Sequence, residues 1–285
     1  MPKYRLLISL LLASISWGQA AQMPALPDTV LVEPNIAYDQ HKETVLDIIQ
    51  PKAPSKEKRP GVLVIHGGGW VGGAKEGQAE PYCMKYVEKG FVCANVEYRL
   101  AKAALAPAAV NDSLKAAEWF FKNAGKYNVD KRRIVVTGGS AGGHLSLMVG
   151  MTPKSAKLGK PADVAAVVNF YGITDVHDQI EGPNTRKYAV TWLPEQPGRV
   201  ELAERVSPMT YVRKDVPPIL TIHGDADEVV PYDHGVKLTK ALRDAGADAE
   251  LVSIPQGKHG FPKEKMDQIY ETHIWPFLKR RDILR

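Results

Sequence analysis

The chain has 285 residues, of which 44% are hydrophobic and 24% charged. Those fractions exclude a disordered, collagen-like or coiled-coil protein, and the length suits one large α/β domain that buries its core without disulfides or metals. The formal charge of +5 comes from Lys and Arg scattered among Asp and Glu, which argues for a solvated mixed surface and against nucleic acid as a partner.

The chain opens with Lys3 and Arg5, then a nearly unbroken apolar run from Leu6 to Ile15. Gly18 and Ala20 occupy the −3 and −1 places of a cut after Ala20, the pattern of an export signal. The run is about half of the roughly 20 apolar residues that a membrane span needs. The expectation is a signal peptide at 1–20 and a mature domain at 21–285, secreted or periplasmic, without membrane insertion. Loss of Lys3 and Arg5 would lower the charge from +5 to +3. The lack of a Cys near the cut argues against a lipoprotein, and the oligomeric state is not legible.

Beyond that segment, strands and helices alternate. Val30–Asp39 and Thr44–Ile49 read as two strands joined by a polar turn, and Pro51–Pro60 as a surface loop. Gly61–Ile65 and Phe91–Val96 are continuous apolar runs of the buried parallel kind, separated by a helical stretch, Pro81–Lys89. Ala108–Ala124 places Val110, Leu114, Ala117 and Phe121 on one helical face. Strands are expected at Ile134–Thr137, Val164–Phe170, Ile219–Ile222 and Glu250–Ile254, and helices at Gly142–Gly150, Tyr232–Ala245 and Lys263–Leu278. The alternation predicts a mainly parallel central sheet with helices on both faces. Ile173–Arg205, rich in Pro, Gly and charge, reads as a short insertion after the sixth strand that could cover a site. Cys83 and Cys93 stay in the mature part, as a disulfide or as buried thiols. Neither has a Cys or His at ligand spacing, so no metal site is expected.

Gly138-Gly139-Ser140-Ala141-Gly142 fits G-x-S-x-G directly between an expected strand and helix, where a sharp turn exposes the serine as a nucleophile. His66-Gly67-Gly68-Gly69-Trp70 follows the strand ending at Ile65. Its glycines let backbone N–H groups approach a developing oxyanion, and it lacks the spacing of a phosphate-binding loop. A serine needs a base, and the order Ser, Asp, His is expected for such an elbow. Asp227 follows one strand end and His259 another. His259 would take and return the serine proton while Asp227 orients the imidazole. Asp225 is the rival acid, closer to its strand and suited to binding local backbone N–H groups.

Together with Val96-Glu97-Tyr98-Arg99-Leu100, Ser207-Pro208, the His223–Pro231 segment and His259-Gly260-Phe261, these motifs resemble the α/β-hydrolase superfamily. More narrowly they resemble bacterial esterases of the feruloyl/acetyl-xylan-esterase-like and hormone-sensitive-lipase-like groups, over about Leu46 to Phe277. The resemblance implies an α/β-hydrolase fold, the triad Ser140, Asp227 and His259, and oxyanion donors Gly68, Gly69 and Ala141. His144 stands where many lipase-like relatives have Asn. The implied activity is an exported serine carboxylic-ester hydrolase that works through an acyl-enzyme without cofactor or metal. Its substrates would be small-molecule or carbohydrate esters carrying acetyl or feruloyl groups. A serine peptidase, an arylformamidase-like amide hydrolase and a catalytically silent binding module are the alternatives. His66 and His223 read as packed core residues, and His234 has no visible partner. Trp70, Tyr188, Trp192 and His177 are candidate substrate contacts, and the charged insertion suits short acyl chains better than lipid tails.

Overall fold

An eight-stranded sheet organises residues 24–285, the part described by the computed structural model; the expected signal peptide at 1–20 lies outside the described residues. The strands are β1 (Val30–Ala37), β2 (Val45–Pro51), β3 (Arg59–Ile65), β4 (Val92–Val96), β5 (Val129–Gly139), β6 (Ala166–Phe170), β7 (Ile219–Gly224) and β8 (Ala249–Ile254). Their spatial order is β1-β2-β4-β3-β5-β6-β7-β8. The hairpin β1–β2 is antiparallel and joins β4 antiparallel, whereas β3 to β8 run parallel. The apolar runs are continuous because both faces of the inner strands are covered. In β3, Leu63 and Ile65 enter one core layer and Val62 and Val64 the other.

Helices α2 (Ala108–Asn123), α3 (Ala141–Met151) and α7 (Asp233–Asp244) pack in the first layer. The second holds α1 (Lys85–Glu88), α8 (Lys263–Ile269) and α9 (Trp275–Lys279). On α2 the buried aromatic is Phe120, not the expected Phe121, which is half-buried; Ala116 and Ala117 widen the apolar face toward it. Two helices contain a π turn that periodicity does not reveal. Ala79–Met84 leads into α1, and Tyr270–Ile274 joins α8 to α9. The second precedes Pro276, which has no N–H to donate and whose ring crowds the carbonyl four residues back, so a wider turn accommodates it.

The insertion between β6 and β7 forms three short helices, α4 (Val176–Ile180), α5 (Lys187–Trp192) and α6 (Arg199–Arg205). Its charges largely fasten it down. Arg199 is buried and donates to Leu193 O at 3.1 Å and Glu195 Oε2 at 2.7 Å. His234 on α7 meets Asp178 on α4 at 3.1 Å, the partner the sequence does not show. Cys83 and Cys93 are both free and buried.

Candidate active site

The change of direction between β5 and α3 falls on Ser140, held at φ 58° and ψ −123°. A non-glycine residue there costs on the order of 1–3 kcal/mol. The surrounding packing imposes it. A Cβ on Gly138 or Gly142 would stand 2.3 or 2.0 Å from the carbonyl of Ile65, so the elbow presses on the end of β3. Ser140 N donates to Phe170 O at 3.0 Å, which ties the turn to β6 as well.

The glycine loop leaves β3 at the same place. Gly68 and Gly69 have φ of 113° and 59°, and Gly68 O accepts from Val71 N and Gly72 N at 3.1 and 3.0 Å. Among the described residues, neither Gly68 nor Gly69 donates its own N–H to a protein acceptor. Ala141 N begins α3, where a helix leaves its amides without intrahelical partners. Glu97, just past β4, clamps both ends of the loop: Oε1 faces His66 Nε2 at 3.2 Å and Oε2 accepts from Lys75 N at 3.0 Å. Tyr98 stacks on the His66 ring, with centroids 4.2 Å apart, and donates its hydroxyl to His66 O at 3.1 Å. Lys75 itself is buried against Asp47 at 2.8 Å and Glu76 at 2.7 Å. Burial works against its charge, but the two carboxylates outweigh that and hold the ammonium above the ordinary lysine value.

Asp227 and His259 meet after β7 and β8, with His259 Nδ1 and Asp227 Oδ2 2.8 Å apart. Asp227 Oδ1 accepts from Val229 N at 2.8 Å and Val230 N at 3.0 Å. Burial alone would raise its pKa. The His223 and His259 hydrogen bonds and the Val229 N–H reverse this and hold the carboxyl far below the usual range. Asp225 is instead exposed and accepts from Gln256 N at 2.6 Å, which links the two loops. His223 is more than a packed core residue: its Nε2 lies 3.3 Å from Asp227 Oδ2 and 3.1 Å from Val230 O. Arg186 of the insertion donates to Val229 O at 3.0 Å and Glu228 O at 3.1 Å and so steadies the acid loop. Tyr171, directly after β6, sets its ring 4.7 Å from that of His259, and its hydroxyl lies 3.4 Å from Tyr82. The roles of Tyr171, Glu97 and His223 had no local signature beyond lying at strand ends, and Tyr82, inside the π turn Ala79–Met84, had none.

Two expected ligand contacts need correction. Trp70 and Trp192 are completely buried and stack on each other, with centroids 4.2 Å apart and planes 16° from parallel. A flat aromatic face already covered by another offers nothing to a sugar. Their packing joins the glycine loop to the insertion. Tyr188 stays half-buried beside the loop, since a Cβ on Gly69 would meet Tyr188 Cβ at 2.7 Å. Its hydroxyl donates to Gln179 at 2.6 Å, and burial, reinforced by Asp227, raises its pKa against the opposing effect of Arg186. His177 is half-buried, its Nε2 3.4 Å from Glu181 Oε2.

A serine elbow after β5, with an acid and a histidine after the next strands of one parallel sheet, defines an α/β-hydrolase. The chain belongs to the BD-FAE family, whose profile matches residues 46–242, a span that includes Ser140 and Asp227. Esterase LipQ of Mycobacterium tuberculosis is 30% identical over 77% of this chain and 55% of its own length. The chain spans about half the length of the curated mycobacterial relatives it matches. Among solved structures, a truncated carbohydrate esterase from gut microbiota superposes with a TM-score of 0.76 at 29% identity, covering 92% of this chain and 98% of that one. The apo form of Thermogutta terrifontis esterase 2 gives 0.75 at 25% identity, covering 92% and 98%.

Proposed function

We propose that the protein is a serine carboxylic-ester hydrolase with Ser140 as nucleophile, His259 as base and then acid, and Asp227 as the orienting carboxylate. The observation that carries this is the 2.8 Å contact of His259 with an ionised, buried Asp227, on loops at the same sheet edge as the strained Ser140. Ser140 Oγ attacks the ester carbon while its proton passes to His259 Nε2. The oxyanion is met by the free N–H groups of Gly68 and Gly69 and by Ala141 N. Collapse expels the alcohol with the proton from His259, and water then releases the acid by the same route. This chemistry calls for no metal or organic cofactor.

The substrates fitting this reading are short acyl esters of small molecules or carbohydrates, with acetyl or feruloyl groups. Support comes from the carbohydrate esterase among the structural neighbours and from an insertion whose apolar surface is turned inward. Export through residues 1–20 belongs to the same proposal and places the mature enzyme, starting at Ala21, in the periplasm or outside the cell. Mass spectrometry of protein from an exporting host reads that terminus.

The deciding experiment is covalent labelling by a serine-directed phosphonate combined with turnover of p-nitrophenyl acetate, butyrate, octanoate and palmitate. Label on Ser140, loss of about 10³-fold or more in Ser140→Ala, and a maximum at two to four carbons are expected. A Ser140→Ala enzyme within tenfold of wild type overturns the mechanism, and a maximum at octanoate or longer overturns the substrate class.

A further inference from the structure

His144 lies one helical turn beyond Ser140 and is completely buried. Its Nδ1 accepts from Trp70 Nε1 at 3.2 Å, and its Nε2 faces Val206 O at 2.7 Å. An indole N–H can only donate and a carbonyl can only accept, so the ring carries its hydrogen on Nε2 and is neutral. Burial lowers its pKa to about 4, with the Val206 carbonyl opposing, which agrees with that assignment. The three groups tied together belong to three different parts of the site. Trp70 immediately follows the glycines with free N–H groups, and it holds a left-handed backbone, φ 60°, that an aromatic residue seldom adopts. Val206 closes the last helix of the insertion. His144 itself sits on the helix that starts at the elbow, and its backbone N–H donates to Ser140 O at 3.0 Å.

We infer that His144 is a positioning residue: through Trp70 it fixes the oxyanion loop against the elbow, and through Val206 it makes the seating of the insertion part of that same alignment. Trp192 of the insertion, stacked on Trp70 and edge-on to His144 at 5.8 Å, completes the linkage. An asparagine is shorter than imidazole and cannot reach both partners across the helix, so His144 couples loop and insertion where an Asn would hold only one. The inference rests on the serine-esterase reading. It concerns stabilisation of the tetrahedral state, so it predicts loss in kcat rather than in substrate affinity.

The test compares Trp70→Phe, which keeps the ring stack but deletes the donor, with His144→Gln, His144→Ala and the Trp70→Phe/His144→Ala double variant. The readouts are kcat and KM on p-nitrophenyl acetate and inhibition by a trifluoromethyl ketone, which forms a tetrahedral adduct. Trp70→Phe and His144→Ala should each lower kcat about 10- to 100-fold with KM within about threefold, and weaken the ketone in proportion. The double variant should be no worse than the poorer single one, because both remove the same link. His144→Gln, long enough to accept and donate, should recover most of the activity. Where His144→Ala does not fold, Trp70→Phe and His144→Gln carry the test. A folded Trp70→Phe enzyme with kcat within threefold of wild type, or effects that multiply in the double variant, overturns the inference. So does a loss that appears only in KM. Phosphonate labelling of Ser140 in each variant separates this outcome from failure of the esterase reading, which would show as no labelling in the wild type.

Discussion

Asp227, proposed as the triad acid, is held by more groups than that role requires. Two histidines and two backbone N–H groups converge on one buried carboxylate. Asparagine at this position could still accept from Val229 and Val230 but would leave His259 in the wrong tautomer. Asp227→Asn is expected to cut kcat by roughly 10²–10⁴-fold with the loop still folded. Asp225→Asn keeps an oxygen that can accept the single exposed bond from Gln256 N and should change kcat by less than about fivefold. Steady-state kinetics of the two variants decide the ranking, and the opposite order would move the acid to Asp225. The two aspartates are two residues apart and look alike in sequence. Chain order and motif pointed to Asp227, whereas His223, the second imidazole on it, read as ordinary core because its partner is visible only once β7 and the loop after it are folded.

At the level of elements, the glycine loop after β3 is kept in shape by a charged cluster beside it. Lys75 and Asp47 are 3% and 0% exposed. Removing one member of a buried pair leaves the other uncompensated, at a cost on the order of 3–5 kcal/mol. Lys75→Met should therefore lower Tm by roughly 10 °C or more, given about 2–4 °C per kcal/mol in a domain of this size. Calorimetry checks this; a change of only a degree or two would mean that water and the Asn35 N–H suffice for Asp47. The strands of this region were legible because continuous apolar runs have one explanation. The clamp was not, since Glu97 and His66 are 31 positions apart and Trp70 and His144 are 74 apart. Trp192 shows why an aromatic in an insertion is ambiguous: its type suits both ligand and core, and only the stacking partner from β3's exit loop decides. Arg186 and Arg199 of the insertion are likewise spent on backbone carbonyls, partners that their places in the sequence do not show.

For the whole molecule, buried histidines and paired carboxylates set two windows of acid sensitivity. His144 is neutral in the fold with a pKa of about 4, against 6.5 when exposed, and burial lowers His234 as well despite Asp178. The unfolded chain thus binds more protons than the folded one between about pH 6.5 and 4, and stability falls as pH drops through that range. His144 alone accounts for about 3 kcal/mol. Below about pH 4 the depressed carboxylates take over. Asp227 and Asp178 add stability only while ionised, and it is lost as pH falls through their folded values. Thermal melts should show Tm declining steadily from pH 7 to 4.5, with a shallower slope in His144→Gln. A Tm flat across that interval would contradict the neutral, buried state of these rings.

The position of β8 has a kinetic consequence. It is the outermost strand, paired among the described strands with β7 alone, and His259 hangs on the loop that follows it. Its outer flank is secured by exposed pairs, Arg280 with Glu250 at 2.8 Å and Arg281 with Asp248 at 2.7 Å. Such pairs weaken with salt. An outer strand can detach in a partial opening while the central strands remain intact. Detachment of β8 withdraws His259, the proposed base, from Ser140, so the enzyme should fall silent before it melts. In urea, turnover should be lost at a lower concentration than the far-ultraviolet circular dichroism, and 0.5 M salt should widen the gap. Coincident curves would mean that the edge and the centre come apart together. On refolding the order reverses: catalysis returns last, as a clock for the docking of the final strand.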